Sequence, residues 1–513
     1  MFASLAVYAD YAAGLAISMI VARRLGPSAF GTYTLLMWFA SVGVVLANHG
    51  ITTGVMKFLG EARGRGDSEL AGRVLRHFER VQLRSCLTVC LVLGLAVQMW
   101  ASRATADVEG QRLLWVVLAA VAARSFFVFY VSAAKGFENF RVTASVQAVA
   151  APIVLGVVVV AAWRGSTLSA FVVAYAVGSV VYAAVSRTAF IRSLPASTYA
   201  VREARRTELP LVRMRRHVAF ASAIVLLEIL VLRQTEVLFL EKFSTAQNIA
   251  FYGIGRSLAS SAMLLIPGVA AALLLPMMSR TFGADPALLG ARFLAATRYM
   301  VLLTVPVVVA GEVFAADVIT ALYGAAYAPA ILVFRVTLAA SAVGAVSASA
   351  SSYQLGTDRQ PAIVTTMLAA AAFTLLLDVV LIRTYQLNGA IAAGAAGSVL
   401  LGVALLWHAR KALDVRFDIA AYSRILAAGL LAALPALAVR AILPLWLALP
   451  VGAFVLGTTY LLTTIALGAW ARSDLAAMHA LVERAPRGLG VPLRRLLQRA
   501  ASMTTLVPRE RVS

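Results

Sequence analysis

The sequence is short of several kinds of residue, and each shortage removes a class of protein. Asp and Glu number 23 in 513 residues, and all charged residues together make up 13%. A soluble globular chain carries about a quarter, so this one has no ordinary aqueous surface to cover. Lysine occurs four times, at Lys57, Lys135, Lys242 and Lys411. The two cysteines, Cys86 and Cys90, stand four apart on one apolar helix. That spacing suits neither a disulfide nor a complete metal site. His49, His77, His217, His408 and His479 are scattered without ligand spacing, so no metal or cofactor is expected. G-x-x-x-x-G-K-[ST], H-E-x-x-H and G-x-S-x-G are all missing, which removes support for ATP hydrolysis and the common hydrolytic sites.

What the chain does have is apolar length. Hydrophobic residues make up 61% and mean hydropathy is +0.86. Apolar runs long enough to cross a bilayer recur along most of it, the mark of an all-α polytopic membrane protein. Fourteen spans are predicted, at 2–22, 32–56, 81–101, 112–134, 144–163, 168–191, 217–240, 251–279, 297–320, 330–354, 361–382, 388–409, 425–442 and 444–471. No basic segment precedes the first run, and Arg23 and Arg24 follow it without a clear cleavage site, so it reads as a span and not a signal peptide.

The 45 basic residues give a net charge of +22. In a soluble chain that excess would point to nucleic acid; here its placement decides. With the N-terminus inside, inner segments hold 31 of the 45 and outer segments hold 8. The excess is therefore topological, with both termini cytoplasmic. Nucleic acid drops out as a partner, and anionic membrane lipid takes its place.

Short matches recur at nearly one offset. Tyr33 after the first span corresponds to Tyr252 after the seventh, and "GSV" at 178–180 recurs at 397–399, both offset by 219. Gly136 corresponds to Gly356 at an offset of 220. These predict two six-helix pseudo-symmetric lobes, 1–191 and 217–409, joined by a basic cytoplasmic linker at 192–216. Two further spans occupy 410–471, and 472–513 reads as a basic amphipathic tail on the inner surface.

The seventh span poses the functional question. "LLEILVLRQTEVLFLEKF" (226–243) sets Glu228, Arg233 and Glu236 in one apolar run. Each such charge costs about 2.5–3.5 kcal/mol at a helix centre, and Leu, Ile, Phe or Val returns about 0.3–0.6. At about 100° per residue the three share one face of this span. That face either lines a water-filled cavity or carries a structural ion pair with one further group at the helix end. Further candidates among the in-span charges are Asp10, Arg124, Arg256, Arg335 and Asp378. Arg256 and Arg335 lie near span ends, where snorkelling is the competing reading; Asp10 and Asp378 are too short to snorkel far. Arginines gathered in a cavity would suit an anionic head group, because the guanidinium donates bidentate, charge-assisted hydrogen bonds to phosphate.

Pattern alone reaches a two-lobed transporter with a charged cavity. "ARRLGPSAFGTYTLL" (22–36), "HGITTGVMKFLGEARGRGD" (49–67), "VLRQTEVLFLEKFSTAQNIAFYGIGRSLAS" (231–260) and "LYGAAYAPAILVFRV" (322–336) resemble, in order, segments of polysaccharide-transporter (Wzx-type) flippases. These flippases share a superfamily with multidrug (MATE-type) exporters and the peptidoglycan-precursor flippase. The resemblance extends to about residue 410. It implies alternating access in the bacterial cytoplasmic membrane. The implied substrate is undecaprenyl-pyrophosphate-linked oligosaccharide, for O-antigen, capsule or exopolysaccharide, with polymerase or assembly proteins as further partners. It also implies that Arg233, Arg124, Arg256 and Arg335 hold the pyrophosphate. Asp10, Glu228, Glu236 and Asp378 would couple transport to H⁺ or Na⁺. Family members usually carry a short basic segment before the first span, which this chain lacks. A start assigned too far downstream would leave Asp10 mid-span; with the start as given it is less central. The alternatives are a MATE-like cation exporter, a lipid II flippase, a non-transporting scaffold, and a membrane polymerase or ligase. The short outer loops, with no acid in "RRLGPSAFG" (23–31), disfavour the last.

Overall fold

The computed structural model describes residues 2–64, 66–101, 108–194, 209–232, 235–357 and 360–470. Arg233, most of the linker and the tail at 472–513 lie outside the described residues; of Asp10 and Glu228 only the backbone is described. The helices are α1 (Phe2–Asn48), α2 (Ile51–Gly64), α3 (Ser68–Ala101), α4 (Val108–Gly136), α5 (Phe140–Arg164), α6 (Leu168–Ser193), α7 (Leu211–Leu232) and α8 (Glu236–Phe243). They continue with α9 (Ala246–Met263), α10 (Val269–Ala284), α11 (Leu289–Tyr323), α12 (Ala330–Gly356), α13 (Gln360–Leu377), α14 (Arg383–Leu413), α15 (Ile419–Ile442) and α16 (Leu445–Ala466). There is no strand among the described residues. The chain is an all-α, multi-pass membrane protein.

Ten described stretches are long and apolar enough to cross a membrane. Two of them, Ala12–Asn48 and Pro361–Leu413, each take in two expected spans, so the ten cover twelve of the fourteen. The kinks inside them have local causes. Gly26 turns α1 with φ 71° and ψ 171°, a backbone open to glycine and compatible with the following Pro27. In α14 the kink falls on Gln386, at φ 48°. Ser244 Oγ donates to Gln386 Oε1 at 3.4 Å, and Asn248 Nδ2 donates to Ser244 Oγ at 2.8 Å.

The other two expected spans are interrupted. The seventh, 217–240, does not run as one helix: α7 ends at Leu232 and α8 starts at Glu236. Arg233, Gln234 and the side chain of Glu228 lie outside the described residues, and with them the shared face expected for Glu228, Arg233 and Glu236. The eighth is cut by a π turn at Leu264–Gly268, where Pro267 has no N–H to give the ladder. The second span stops short too. Its expected end is at 56, but α1 ends at Asn48 and α2 restarts at Ile51.

Two compact units divide the chain, residues 1–253 with 371–394, and residues 254–370 with 395–513. In the first, α4 packs against α6 and α1, α5 against α1 and α6, and α2 against α3, α4 and α7. Phe58, Phe78, Phe129, Tyr130 and Phe190 fill one core; Leu36, Ala40, Val117, Val121 and Val172 fill another. Two glycines permit close crossings. A Cβ on Gly31 would run into the Ala246 carbonyl, and one on Gly50 would meet the Val218 carbonyl and lie 2.8 Å from Ser222 N. Arg213 forks onto Glu61 at 2.9 and 2.7 Å, tying the start of α7 to α2. Leu83, Leu87 and Leu91 recur at every fourth position on α3 and are exposed, which makes that stripe a lipid-facing one.

In the second unit, α11 packs against α12 and α15, and α15 against α16. Leu302, Phe314, Ile425 and Leu456 are buried there, and Tyr460 Oη donates to the Leu302 carbonyl at 2.9 Å. Met278, Phe293, Tyr353 and Leu405 bring α10, α11, α12 and α14 together.

Candidate functional site

The break between α1 and α2 opens onto a cavity of about 470 Å³ within the first unit. Asn48 and His49 come from the break, Ser41 from α1, Thr52 from α2, Arg124 from α4 and Tyr175 from α6. The backbone at the break is held from outside the cavity. The Ala47 carbonyl, near the end of α1, accepts from Gln82 Nε2 at 3.2 Å and from Ser85 Oγ at 2.9 Å. Gly50 N donates to Ser222 Oγ at 3.3 Å. A helix end inside a membrane protein needs such partners or water.

Arg124 is the cation of this cavity. Its guanidinium lies 4.5 Å from the Phe127 ring centre and 4.4 Å from that of Tyr182. The two rings are themselves 4.9 Å apart. Phe127 sits on the same helical face, three positions on, while Tyr182 comes from α6 and donates through its hydroxyl to Gln147 Oε1 at 3.3 Å. Stacking against aromatic faces steadies the charge without using up its N–H donors. Among the described residues Arg124 has no ion pair and no hydrogen bond. Its fork is available to an anion.

A second polar group lies in the same unit. Asp378 heads a π turn, Asp378–Ile382, and is fully buried. Thr235 Oγ1 donates to its Oδ2 at 3.1 Å. Glu236 follows Thr235 and is 3% exposed. The structure thus brings the Thr235–Glu236 step to Asp378 from a distant part of the chain. Sequence reading misses Thr235, whose hydroxyl carries no signal in one dimension.

The remaining arginines are in the second unit. Arg256 is half-buried on α9. Arg335 pairs with Glu312: Nε is 3.5 Å from Oε2, and Nη2 donates to the Glu312 carbonyl at 3.0 Å. Asp317, further along α11, pairs with Arg440 of α15, with Arg440 Nη2 donating to its Oδ1 at 3.3 Å. Glu312 and Asp317 both fall inside the predicted ninth span, so their charge is a signal already visible in the sequence. The Asp317–Arg440 pair locks the two-span extension onto α11. Removing one partner leaves the other charge half-buried and uncompensated. Arg440→Ala is expected to lower the unfolding temperature in detergent, and adding Asp317→Ala to recover part of the loss; strictly additive effects would show that the pair does not couple.

Residues 20–332 match the family model described as polysaccharide biosynthesis protein. No curated protein matches the sequence. Among solved structures, the chain is similar to the lipid II flippase MurJ in an inward closed conformation. That match has a TM-score of 0.71 at 11% identity and covers 90% of this chain and 97% of that one. It is also similar to an inward-facing MATE-family multidrug resistance transporter of the MOP superfamily, with a TM-score of 0.64, 15% identity and coverage of 78% and 94%. A point mutant of VcmN, a MATE transporter from Vibrio cholerae, gives a TM-score of 0.59 at 16% identity, over 80% and 95%. At these identities the likeness is one of fold.

Proposed function

This chain belongs to the polysaccharide biosynthesis protein family, and on that premise we propose that it is a flippase for undecaprenyl-pyrophosphate-linked oligosaccharide. In this reading the repeat unit crosses from the inner to the outer leaflet of the bacterial cytoplasmic membrane, for O-antigen, capsule or exopolysaccharide assembly. The observation that carries the reading is Arg124, a guanidinium stacked on two rings at a cavity wall with its donors unused. A pyrophosphate offers acceptors only and matches that fork. The isoprenoid tail stays in the bilayer beside the cleft. The lobes 1–191 and 217–409 alternate in access, with both termini cytoplasmic. H⁺ or Na⁺ binding at Asp10, Glu228, Glu236 or Asp378 stabilises one state over the other. Arg233, Arg256 and Arg335 are the further arginines that the family resemblance implies for the head group. Arg335 is already engaged by Glu312, and its role requires release from that pair.

In cells lacking the gene, complete lipid-linked units are expected to accumulate while surface polysaccharide is lost, and wild-type complementation is expected to restore both. Normal polysaccharide would sink the proposal. A cation exporter is the second reading, favoured by the fold shared with MATE transporters and by the buried Glu236 and Asp378 carboxylates. It predicts altered sensitivity to cationic drugs with polysaccharide intact.

A further inference from the structure

The flippase reading accounts for Arg124 but leaves the opposite chemistry of the same cavity unexplained. Asn48 is 4% exposed and lines it. Asn48 Nδ2 donates to the Val44 carbonyl at 2.8 Å, which fixes the amide's orientation: flipping it would set oxygen against oxygen. Oδ1 therefore faces away from the helix ladder, and it is buried with no hydrogen-bond partner. The neighbouring His49 Nδ1, also at the cavity, is buried without a partner as well. A buried acceptor left unsatisfied is costly and rare. At Asn48 the orphaned atom is an acceptor by the amide's fixed orientation, and His49 beside it adds a ring nitrogen that accepts in the tautomer protonated at Nε2, so this stretch of cavity wall suits a group that donates.

Among the parts of the proposed substrate, only one supplies such a donor in place of water. A pyrophosphate oxygen has no proton to give at neutral pH and would be repelled by Asn48 Oδ1. An isoprenoid tail has no polar hydrogen at all. Sugar hydroxyls and acetamido N–H groups do donate, and a sugar is what an oligosaccharide-linked lipid carries next to its phosphates. We infer that Asn48 and His49 form a sugar-reading subsite: Asn48 Oδ1, and His49 Nδ1 in the tautomer protonated at Nε2, accept from hydroxyl or amide hydrogens of the sugar bonded to the pyrophosphate, while Arg124 holds the phosphates. The inference rests on the flippase reading and adds a specificity element to it. The main chain that carries the pair is pinned on both sides, by Gln82 and Ser85 at the Ala47 carbonyl and by Ser222 at Gly50 N. A rigid mount of this kind lets a hydrogen bond discriminate, since a ligand lacking the donor leaves the acceptors unpaired.

The test compares two probes on the full chain in lipid nanodiscs: a polyprenyl pyrophosphate, and the same lipid carrying one N-acetylglucosamine. The wild type is expected to bind the sugar-bearing probe about tenfold more tightly, the scale of two neutral hydrogen bonds. Asn48→Leu and His49→Phe are each expected to reduce that preference, and together to abolish it. Equal binding of the two probes by the wild type overturns the subsite and leaves the lipid-pyrophosphate reading standing. A preference that survives both substitutions does the same. Failure of the wild type to bind either probe defeats the flippase reading, and the subsite with it. The wild-type comparison needs no variant, so it stands even if loss of the Asn48–Val44 bond disturbs the fold of Asn48→Leu.

Discussion

Arg124→Ala is expected to weaken binding of a polyprenyl pyrophosphate by about 10- to 100-fold. A hydrogen bond to a charged group is worth about 1.5–3 kcal/mol, and each step of about 1.4 kcal/mol is a factor of ten. Arg124→Lys keeps the charge but loses the planar fork and its stacking between Phe127 and Tyr182, so it is expected to recover only part of the affinity. In cells, Arg124→Ala at wild-type expression is expected to leave surface polysaccharide depleted. Phe127→Leu with Tyr182→Leu leaves the guanidinium in place without its supports, and a smaller loss is expected there. Titration in nanodiscs reads all of these variants, and wild-type affinity in Arg124→Ala would show that the cavity's cation is not the anchor.

The largest stability effect is expected at Gly31. A Cβ there would overlap the backbone carbonyl of Ala246, and a backbone atom cannot rotate aside as a side chain can. Forced overpacking typically costs about 1–3 kcal/mol and sometimes more. Gly31→Ala is therefore expected to unfold well below the wild type in detergent, and Gly31→Val to give little folded protein. Gly156 supplies the control: it is helical, on α5, with nothing within 4 Å of an added Cβ. Gly156→Ala is expected to stabilise by up to about 1 kcal/mol, through the smaller entropy of the unfolded chain. Thermal melts of the two variants that moved alike would refute this account of Gly31.

Most of the architecture was legible because lipid imposes a length and composition that survive in one dimension. The α3 leucines and the apolar runs of α4, α5, α6, α11 and α12 announce themselves. The kinks at Gly26 and Gln386 fall in predicted gaps between spans, 23–31 and 383–387, whereas the turn at Leu264–Gly268 lies inside the predicted span 251–279 and was missed although Pro267 marks it. That Gln386 itself takes the left-handed φ was not legible, because its side chain meets Ser244 and, through it, Asn248, which belong to a much earlier part of the chain. The stop at Asn48 carried a weak sign in Gly50, outweighed by the hydrophobicity that continues through Val55. At the site, Arg124 and Asp378 could be found as charges in apolar spans. Their surroundings could not: Tyr182 and Thr235 reach them through tertiary packing. Asn48 lies inside the predicted second span with no signal of its own, and its meaning comes from which of its atoms the fold leaves unpaired.

The partners of the two best-defined arginines arrive at different moments of synthesis. Glu312 lies on the helix before the one that carries Arg335. This acid has therefore left the ribosome by the time the arginine follows, and α11 and α12 can enter the bilayer as a hairpin with its charges matched. Arg124 enters with no acid partner. The eleven Leu, Phe and Val residues from Leu113 to Val131 return about 3–7 kcal/mol against about 2.5–3.5 for one arginine, so α4 can partition alone. Phe127 is present at once, whereas Tyr182 follows two helices later, a delay of several seconds at about 5–20 residues per second. During that interval the nascent chain holds a half-built clamp, and truncation before α6 would leave the guanidinium covered on one face only.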